Sequence, residues 1–424
     1  VKNTTLDALA YQPYPYDKLV KKLNLEKDMS RNPLFDVMFI YQNLPHSNIC
    51  LNNKSAKLIE SKTKIAKFDL SLEVLPFKHT LNLEYCTDLF KKHTMENFLD
   101  HYLQVLENMY QDINTKVQDI SILTKTEENY LLNTFNDTYL RIPENETIST
   151  LFEKQALKTP NNTAIAFHNK SLSFDLLNKY ANSLARYLRN LNVSRNDIIG
   201  IMLPRSLELI ISMLGVLKAG ATYIPIDPSF PEDRVRYMLE NSNAKFLLTF
   251  KELEKSVNFE NKIFVELENN SIYTLKNSNL ENINEPSDSS YIIYTSGSTG
   301  LPKGVVLNQR GLVNLAYYLN KNVEFFVNNP LENTMCSVTT SSFDIFVFET
   351  LICIQKGVKV VIADEEACRV PYLLNKVITE EHCTAIQMTP SRMQFLIDNK
   401  NEIPALSKLK YVVLAGEPLP MQLL

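Results

Sequence analysis

Glycine is scarce in this chain, with nine residues in 424 against a usual share of roughly 7%. None precedes Gly200, so the residue that tolerates positive φ and lets a backbone approach a ligand is confined to the second half. Cysteine is sparse too. Its six positions (50, 86, 336, 353, 368 and 383) form no CxxC and no metal-ligand spacing, which leaves buried, reduced thiols of a cytosolic protein as the expectation. There is no block of consecutive basic residues, and the net charge is −4; both exclude an extended nucleic-acid footprint. The longest apolar stretches, such as LELIISMLGVL, are interrupted and too short to span a bilayer. No secretory signal is present, so a cytoplasmic protein away from the membrane is expected. The chain opens on Val1 and closes on MQLL in mid-element, and it is expected to be a piece of a longer protein.

The remaining composition, 45% hydrophobic and 22% charged, is that of an ordinary globular protein. From about residue 150 short β-rich runs alternate with helical ones. IIGIM, TYIPI, KFLLTF, KIFVEL, SYIIYT, CSVTT, KVVIA, TAIQM and YVVLA read as strands. LELIISMLGVLKAG, EDRVRYMLENS and PYLLNKVITEEH read as helices, the first closing on Gly220 as a C-terminal cap. This is an α/β pattern with largely parallel sheets covered on both faces. The first 125 residues combine two amphipathic helices, PYDKLVKKLNL and TMENFLDHYLQVLENMYQDI, with strands at FDVMFIYQ, KFDLSLEVL and TLNLEYC. A polar segment between the two regions predicts domains at 1–119 and 148–424 joined by a linker at 120–147, with Thr147 or Ser149 capping the helix LFEKQALK.

Three of the nine glycines (297, 300 and 304) fall within eight residues, in YIIYTSGSTGLPKGVV. The strand SYIIYT runs into the loop TSGSTGLPKG. Hydroxyls at Thr295, Ser296, Ser298 and Thr299, backbone N–H groups at Gly297 and Gly300, and the cation of Lys303 are what a polyphosphate requires. Pro302 is expected to stiffen the exit and Gly304 to let the chain turn back. Neither the Walker A pattern nor G-x-G-x-x-G fits. The loop resembles the phosphate-binding signature of the adenylate-forming enzymes, the superfamily of acyl-CoA ligases, luciferases and the adenylation domains of nonribosomal peptide synthetases. LSFDLLNKYANSLARYLR and LKAGATYIPIDPSFPEDRVRYML resemble two further core motifs, though packing and turn chemistry alone account for both.

In SSFDIFVFETLICI, Asp344 reads either as the N-cap of a buried helix or as an acidic group that neutralises a substrate ammonium. The resemblance to the peptide-synthetase branch implies the second. It also implies a side-chain pocket walled by Ile345, Phe348, Gln387, Val413 and Ala415, with Gly416 and Glu417 continuing toward the nucleotide. Gln387 stands out among apolar neighbours, because a buried amide needs partners. The family often has His-Arg after the glycine loop, where this chain has Gln309-Arg310. Its Y-G-P-T-E and T-G-D stretches and its catalytic lysine do not occur before Leu424, so the chain alone is expected to be nearly inactive.

AYQPYPYDKLVKKLNLEKDMSRNPLFDVMFIYQN, KFDLSLEV and LEYCTDLF are similar to the C-terminal lobe of a condensation domain, an α/β lobe. Its H-H-x-x-x-D-G motif is absent: the six histidines include no adjacent pair. Condensation followed by adenylation implies a multimodular synthetase. ATP, Mg²⁺, an amino acid and phosphopantetheine on a carrier domain outside this chain are the implied cofactors and partners, with no resident metal. The alternatives are an acyl- or aryl-CoA ligase and a non-catalytic remnant that binds nucleotide or docks with partner modules.

Overall fold

The computed structural model describes residues 2–24, 32–43, 50–51, 54–55, 65–268, 270–296 and 301–423. It divides into two compact units, Val1–Tyr139 and Leu140–Leu424.

In the first unit the helix α1 (Tyr16–Leu23) precedes a sheet of β1 (Val37–Tyr41), β2 (Leu70–Leu75) and β3 (Thr80–Tyr85), followed by α2 (Lys92–Gln111). β1 runs parallel to β2, and β2 antiparallel to β3 with Leu72 opposite Leu83. Only Leu72 and Met95 are fully buried among the described residues of this unit. Phe39 and Tyr41 of β1 stay more than half exposed, at 56% and 58%. The segment predicted to be a polar linker carries a short helix, Lys125–Asn129, opened by a reciprocal capping box between Thr124 and Glu127. Glu127 also meets His101 Nε2 of α2 at 2.8 Å.

The second unit begins with α3 (Ile148–Lys158), where Thr147 and Thr150 cap each other. β4 (Thr163–Phe167), β5 (Lys170–Ser173), α4 (Phe174–Asn190), β6 (Ile198–Met202), α5 (Leu207–Ala219), β7 (Thr222–Pro225), α6 (Glu232–Asn241), β8 (Phe246–Thr249) and β9 (Lys262–Phe264) follow. Next come β10 (Ser289–Thr295), β11 (Lys303–Asn308), α7 (Gln309–Asn322), β12 (Thr334–Ser337), a helix opening with α8 (Ile345–Val347), β13 (Lys359–Ile362), α9 (Pro371–Glu380), β14 (Ala385–Met388), α10 (Pro390–Asp398) and β15 (Tyr411–Leu414). One sheet has the order β9-β8-β6-β7-β10-β11, the other β15-β14-β12-β13-β4-β5. Both are parallel except for β11 and β5, each an antiparallel edge strand.

Strands such as IIGIM and FLLT carry no polar face because parallel strands are covered on both sides. α5 is the extreme case, with every residue buried except Glu208. Ser206 Oγ accepts the Leu209 N–H at its start, and Gly220 at φ 101° ends it. One continuous core takes Ile165, Met335 and Val360 from one sheet, Ile199, Ile201 and Tyr223 from the other, and Leu184 and Leu214 from α4 and α5.

One expectation fails in the β10–β11 hairpin. Gly304 does not turn the chain back; it lies inside β11, opposite Tyr294. A Cβ there would stand 3.1 Å from Ile292 Cγ2 and 3.2 Å from Tyr294 Cζ. The Tyr294 hydroxyl is held by Asn241 Oδ1 at 2.8 Å, so its ring has little room to give. Close packing, not a turn, asks for glycine at this point.

Candidate amino-acid site

The carboxyl ends of parallel strands are where α/β sheets bind ligands. Here a cavity of about 680 Å³ opens between the β10–β11 edge of one sheet and the β14–β15 edge of the other, flanked by α7 and α8. All six residues expected in the substrate pocket line it: Asp344, Ile345, Phe348, Gln387, Val413 and Ala415. They come from three separate stretches. Asp344 follows the turn after β12, Ile345 and Phe348 lie on the helix behind it, Gln387 is on β14, and Val413 and Ala415 are on and just past β15. Gln387 and Val413 are register partners across the two strands.

Asp344 is exposed, with its Oδ1 accepting the Ile345 N–H at 2.8 Å. A normal N-cap has extended φ/ψ and receives the N–H two or three residues on. Asp344 instead sits in the right-handed helical region, at φ −60° and ψ −31°, and bonds only its immediate neighbour. The capping reading therefore explains little of its placement. Among the described residues lining the cavity it is the one that carries a charge.

Gln387 is 2% exposed, and neither its Oε1 nor its Nε2 has a hydrogen-bond partner among the described residues. A buried amide left so costs about 1–3 kcal/mol, and it is chemically the most demanding group in an otherwise apolar wall. From Phe348 to Ile352 the helix of Asp344 widens into a π-helical stretch, a local form that recurs at functional sites.

Sequence reasoning missed several lining residues. Tyr291 of β10 is 3% exposed and stacks on Tyr223 with ring centroids 5.6 Å apart. Burial raises its phenol's pKa above the ordinary value, and the Asp344 carboxylate adds to the shift. Asn308, Gly311, Leu312 and Leu315 line the opposite wall, and their i, i+3, i+4, i+7 spacing was a readable signal of one helix face.

The nucleotide-binding expectation is only partly visible. Gly297, Ser298, Thr299 and Gly300 lie outside the described residues. Thr295 and Lys303 are exposed register partners at the loop end of the hairpin, with Ser296 beside them. Gly416 has φ 87°. The Glu417 carboxylate accepts Ser391 N–H at 3.0 Å and Ser391 Oγ–H at 2.8 Å, and these bonds lower its pKa. Gln309, the departure from His-Arg, is fully buried and receives the Ile148 N–H at 3.4 Å, so it supports the start of α3.

Comparison with known proteins decides the family. Residues 152–424 match the AMP-binding enzyme family. The chain belongs to that family. Ahead of the AMP-binding portion, residues 1–132 match the condensation domain. Gramicidin S synthase 2 of Brevibacillus brevis is 36% identical over all of this chain and 10% of its own length. Tyrocidine synthase 3 of Brevibacillus parabrevis is 38% identical over all of this chain and 6% of its own length. The chain thus spans a tenth or less of these two relatives. Among solved structures, the nonribosomal peptide synthetase FmoA3 in its AMPPNP-bound form superposes with a TM-score of 0.76 at 22% identity, over 92% of this chain and 42% of that one. The four-domain synthetase holo-AB3403, bound to AMP and glycine, gives 0.75 at 23%, over 99% and 32%. These likenesses show the fold of an AMP-binding enzyme preceded by a condensation-type lobe. No helix among the described residues is long and apolar enough to cross a membrane.

Proposed function

We propose that this chain carries the amino-acid pocket of an adenylation site within a cytoplasmic nonribosomal peptide synthetase. The reaction joins an amino acid to ATP, giving aminoacyl-AMP and pyrophosphate as the substrate carboxylate displaces pyrophosphate from the α-phosphate. The aminoacyl group then passes to the phosphopantetheine thiol of a carrier domain, and the condensation domain forms the peptide bond. The observation that carries this reading is a largely apolar cavity with a single carboxylate, Asp344, among its lining residues. Asp344 holds the substrate ammonium. Ile345, Phe348, Val413 and Ala415 enclose the side chain, and Gln387 meets polarity on it, which favours a medium-sized side chain with some polar character.

Thr295, Ser296 and Lys303, with Gly297, Ser298, Thr299 and Gly300 between them, hold the ATP phosphates; Gly416 and Glu417 approach the nucleotide. Mg²⁺ travels with those phosphates and neutralises their charge.

Amino-acid-dependent pyrophosphate exchange in the full-length protein tests the reading. A free α-amino acid is expected to exceed its deaminated counterpart by about one to two orders of magnitude, the cost of leaving the Asp344 carboxylate without its partner. Asp344→Ala is expected to erase most of that preference. Equal exchange with the deaminated acid would favour an acyl- or aryl-CoA ligase instead.

A further inference from the structure

Glu349 follows Phe348 on the pocket helix and is fully buried. No cation lies within salt-bridge distance of it among the described residues. Its carboxylate instead receives four hydrogen bonds from one short segment. Oε2 accepts from Ser337 Oγ at 2.7 Å, Val338 N at 3.0 Å and Thr339 N at 3.1 Å; Oε1 accepts from Thr339 Oγ1 at 2.6 Å. Arg205, itself 6% exposed, also holds this segment. Its guanidinium donates to the carbonyls of Ser337 and Thr339 and to Ser337 Oγ. One residue further on, Thr340 Oγ1 donates to Asp227 Oδ2 at 3.2 Å. Ser337–Thr340 is the lead-in to Asp344.

A buried carboxylate without an ion pair is costly, and an apolar residue of similar volume often leaves a protein as stable or more so. Burial outweighs the four bonds and Arg205's field, raising the Glu349 pKa. Stability alone therefore gives no reason for an acid here. Geometry does. Ile345 and Phe348 are on the helix of Glu349, whereas the Ser337–Thr339 segment that Glu349 holds leads through residues 340–343 to Asp344.

We propose that Glu349 is a positioning residue for the amino-acid pocket, fixing where Asp344 stands relative to Ile345 and Phe348 through its four bonds to Ser337–Thr339. This rests on the adenylation reading above. The role lies in hydrogen bonding rather than charge. A glutamine can present its carbonyl to Ser337, Val338 and Thr339 while its amide donates to Thr339 Oγ1. A leucine leaves two backbone N–H groups buried and unpaired, and the segment shifts to satisfy them.

Pyrophosphate exchange in the full-length protein, with amino acid and ATP varied separately, tests this. Glu349→Gln is expected to keep the amino-acid KM within about threefold of the unsubstituted enzyme, and Glu349→Leu to raise it about tenfold or more. The leucine variant should also lose discrimination against the deaminated acid, with the ATP KM held within about twofold. A soluble Glu349→Leu enzyme with an unchanged amino-acid KM would overturn the proposal. So would equal losses for both substrates, or a glutamine variant as impaired as the leucine one. Should Glu349→Leu fail to fold, the Ser337→Ala/Thr339→Val double variant keeps the acid and removes two donors. It is expected to raise the amino-acid KM about threefold or more with the ATP KM unchanged, and no change would be decisive against the proposal. An unsubstituted enzyme without amino-acid-dependent exchange would refute the adenylation reading itself, and this inference with it.

Discussion

At the scale of single residues, the unpaired amide of Gln387 has a consequence for stability. Neither of its polar atoms has a partner among the described residues, in a 2% exposed site. Replacing it with leucine removes that burden and keeps the volume close, so Gln387→Leu is expected to stabilise the ligand-free chain by about 1–3 kcal/mol. The same change should reduce the thermal stabilisation that the cognate amino acid confers on the full-length protein, since a ligand stabilises only what it binds. Thermal melts with and without amino acid check both halves. A ligand-free variant that melts lower than the unsubstituted chain would mean that Gln387 has partners of its own. The opposition of the two effects is what a binding residue shows and a core residue does not.

Among the elements, the β10–β11 hairpin combines a tight cross-strand contact with an exposed outer strand. Val305 and Val306 of β11 are 49% and 60% exposed, yet a methyl group on Gly304 beside them would stand 3.1 Å from Ile292 Cγ2 and 3.2 Å from Tyr294 Cζ. Its neighbour Tyr294 is pinned by Asn241 and by the Met238 carbonyl, at 2.8 and 3.3 Å. Gly304→Ala must either break that anchor or displace the strand, and overpacking of this kind costs about 1–3 kcal/mol. A urea midpoint lowered with unchanged slope is the expected result. An unchanged midpoint would show that the tyrosine ring can yield. The hairpin strands were legible in the sequence, because SYIIYT is a bounded apolar run. The role of Gly304 was not, because a glycine in a glycine cluster reads as part of the loop unless its cross-strand neighbour is known.

For the whole molecule, burial differs sharply between the two units. The unit Leu140–Leu424 has a core drawn from both of its sheets. The unit Val1–Tyr139 fully buries only Leu72 and Met95 among its described residues. So little buried apolar surface among the described residues does not offset the conformational entropy of ordering them. Expressed separately, the fragment 140–424 is expected to unfold in a cooperative thermal transition, and 1–139 to give a broad, weak one. A sharp calorimetric peak from 1–139 would contradict this. The boundary between Tyr139 and Leu140 falls inside the polar segment at 120–147, whose composition was readable although its capped helix was not.

By itself the sequence determined whatever depends on local period and local chemistry. Apolar runs bounded by turns marked the strands, Thr147 or Ser149 and Gly220 marked helix ends, and TSGSTGLPKG with FDIFVFE pointed to a nucleotide and an amino acid. Only the tertiary structure decided which distant groups meet. Glu349 reads as one acid in an apolar helix until Ser337–Thr339 arrive beside it. Gln309 reads as a departure from a motif until Ile148, 161 residues earlier, donates to it. Tyr291 reaches the pocket because sheet order sets β10 beside the edge strand β11, which lines the same cavity. Side-chain spacing repeats with the backbone's own period and is therefore written along the chain. The partner of a buried polar atom is set by sheet order and crossover connections, which no local period specifies.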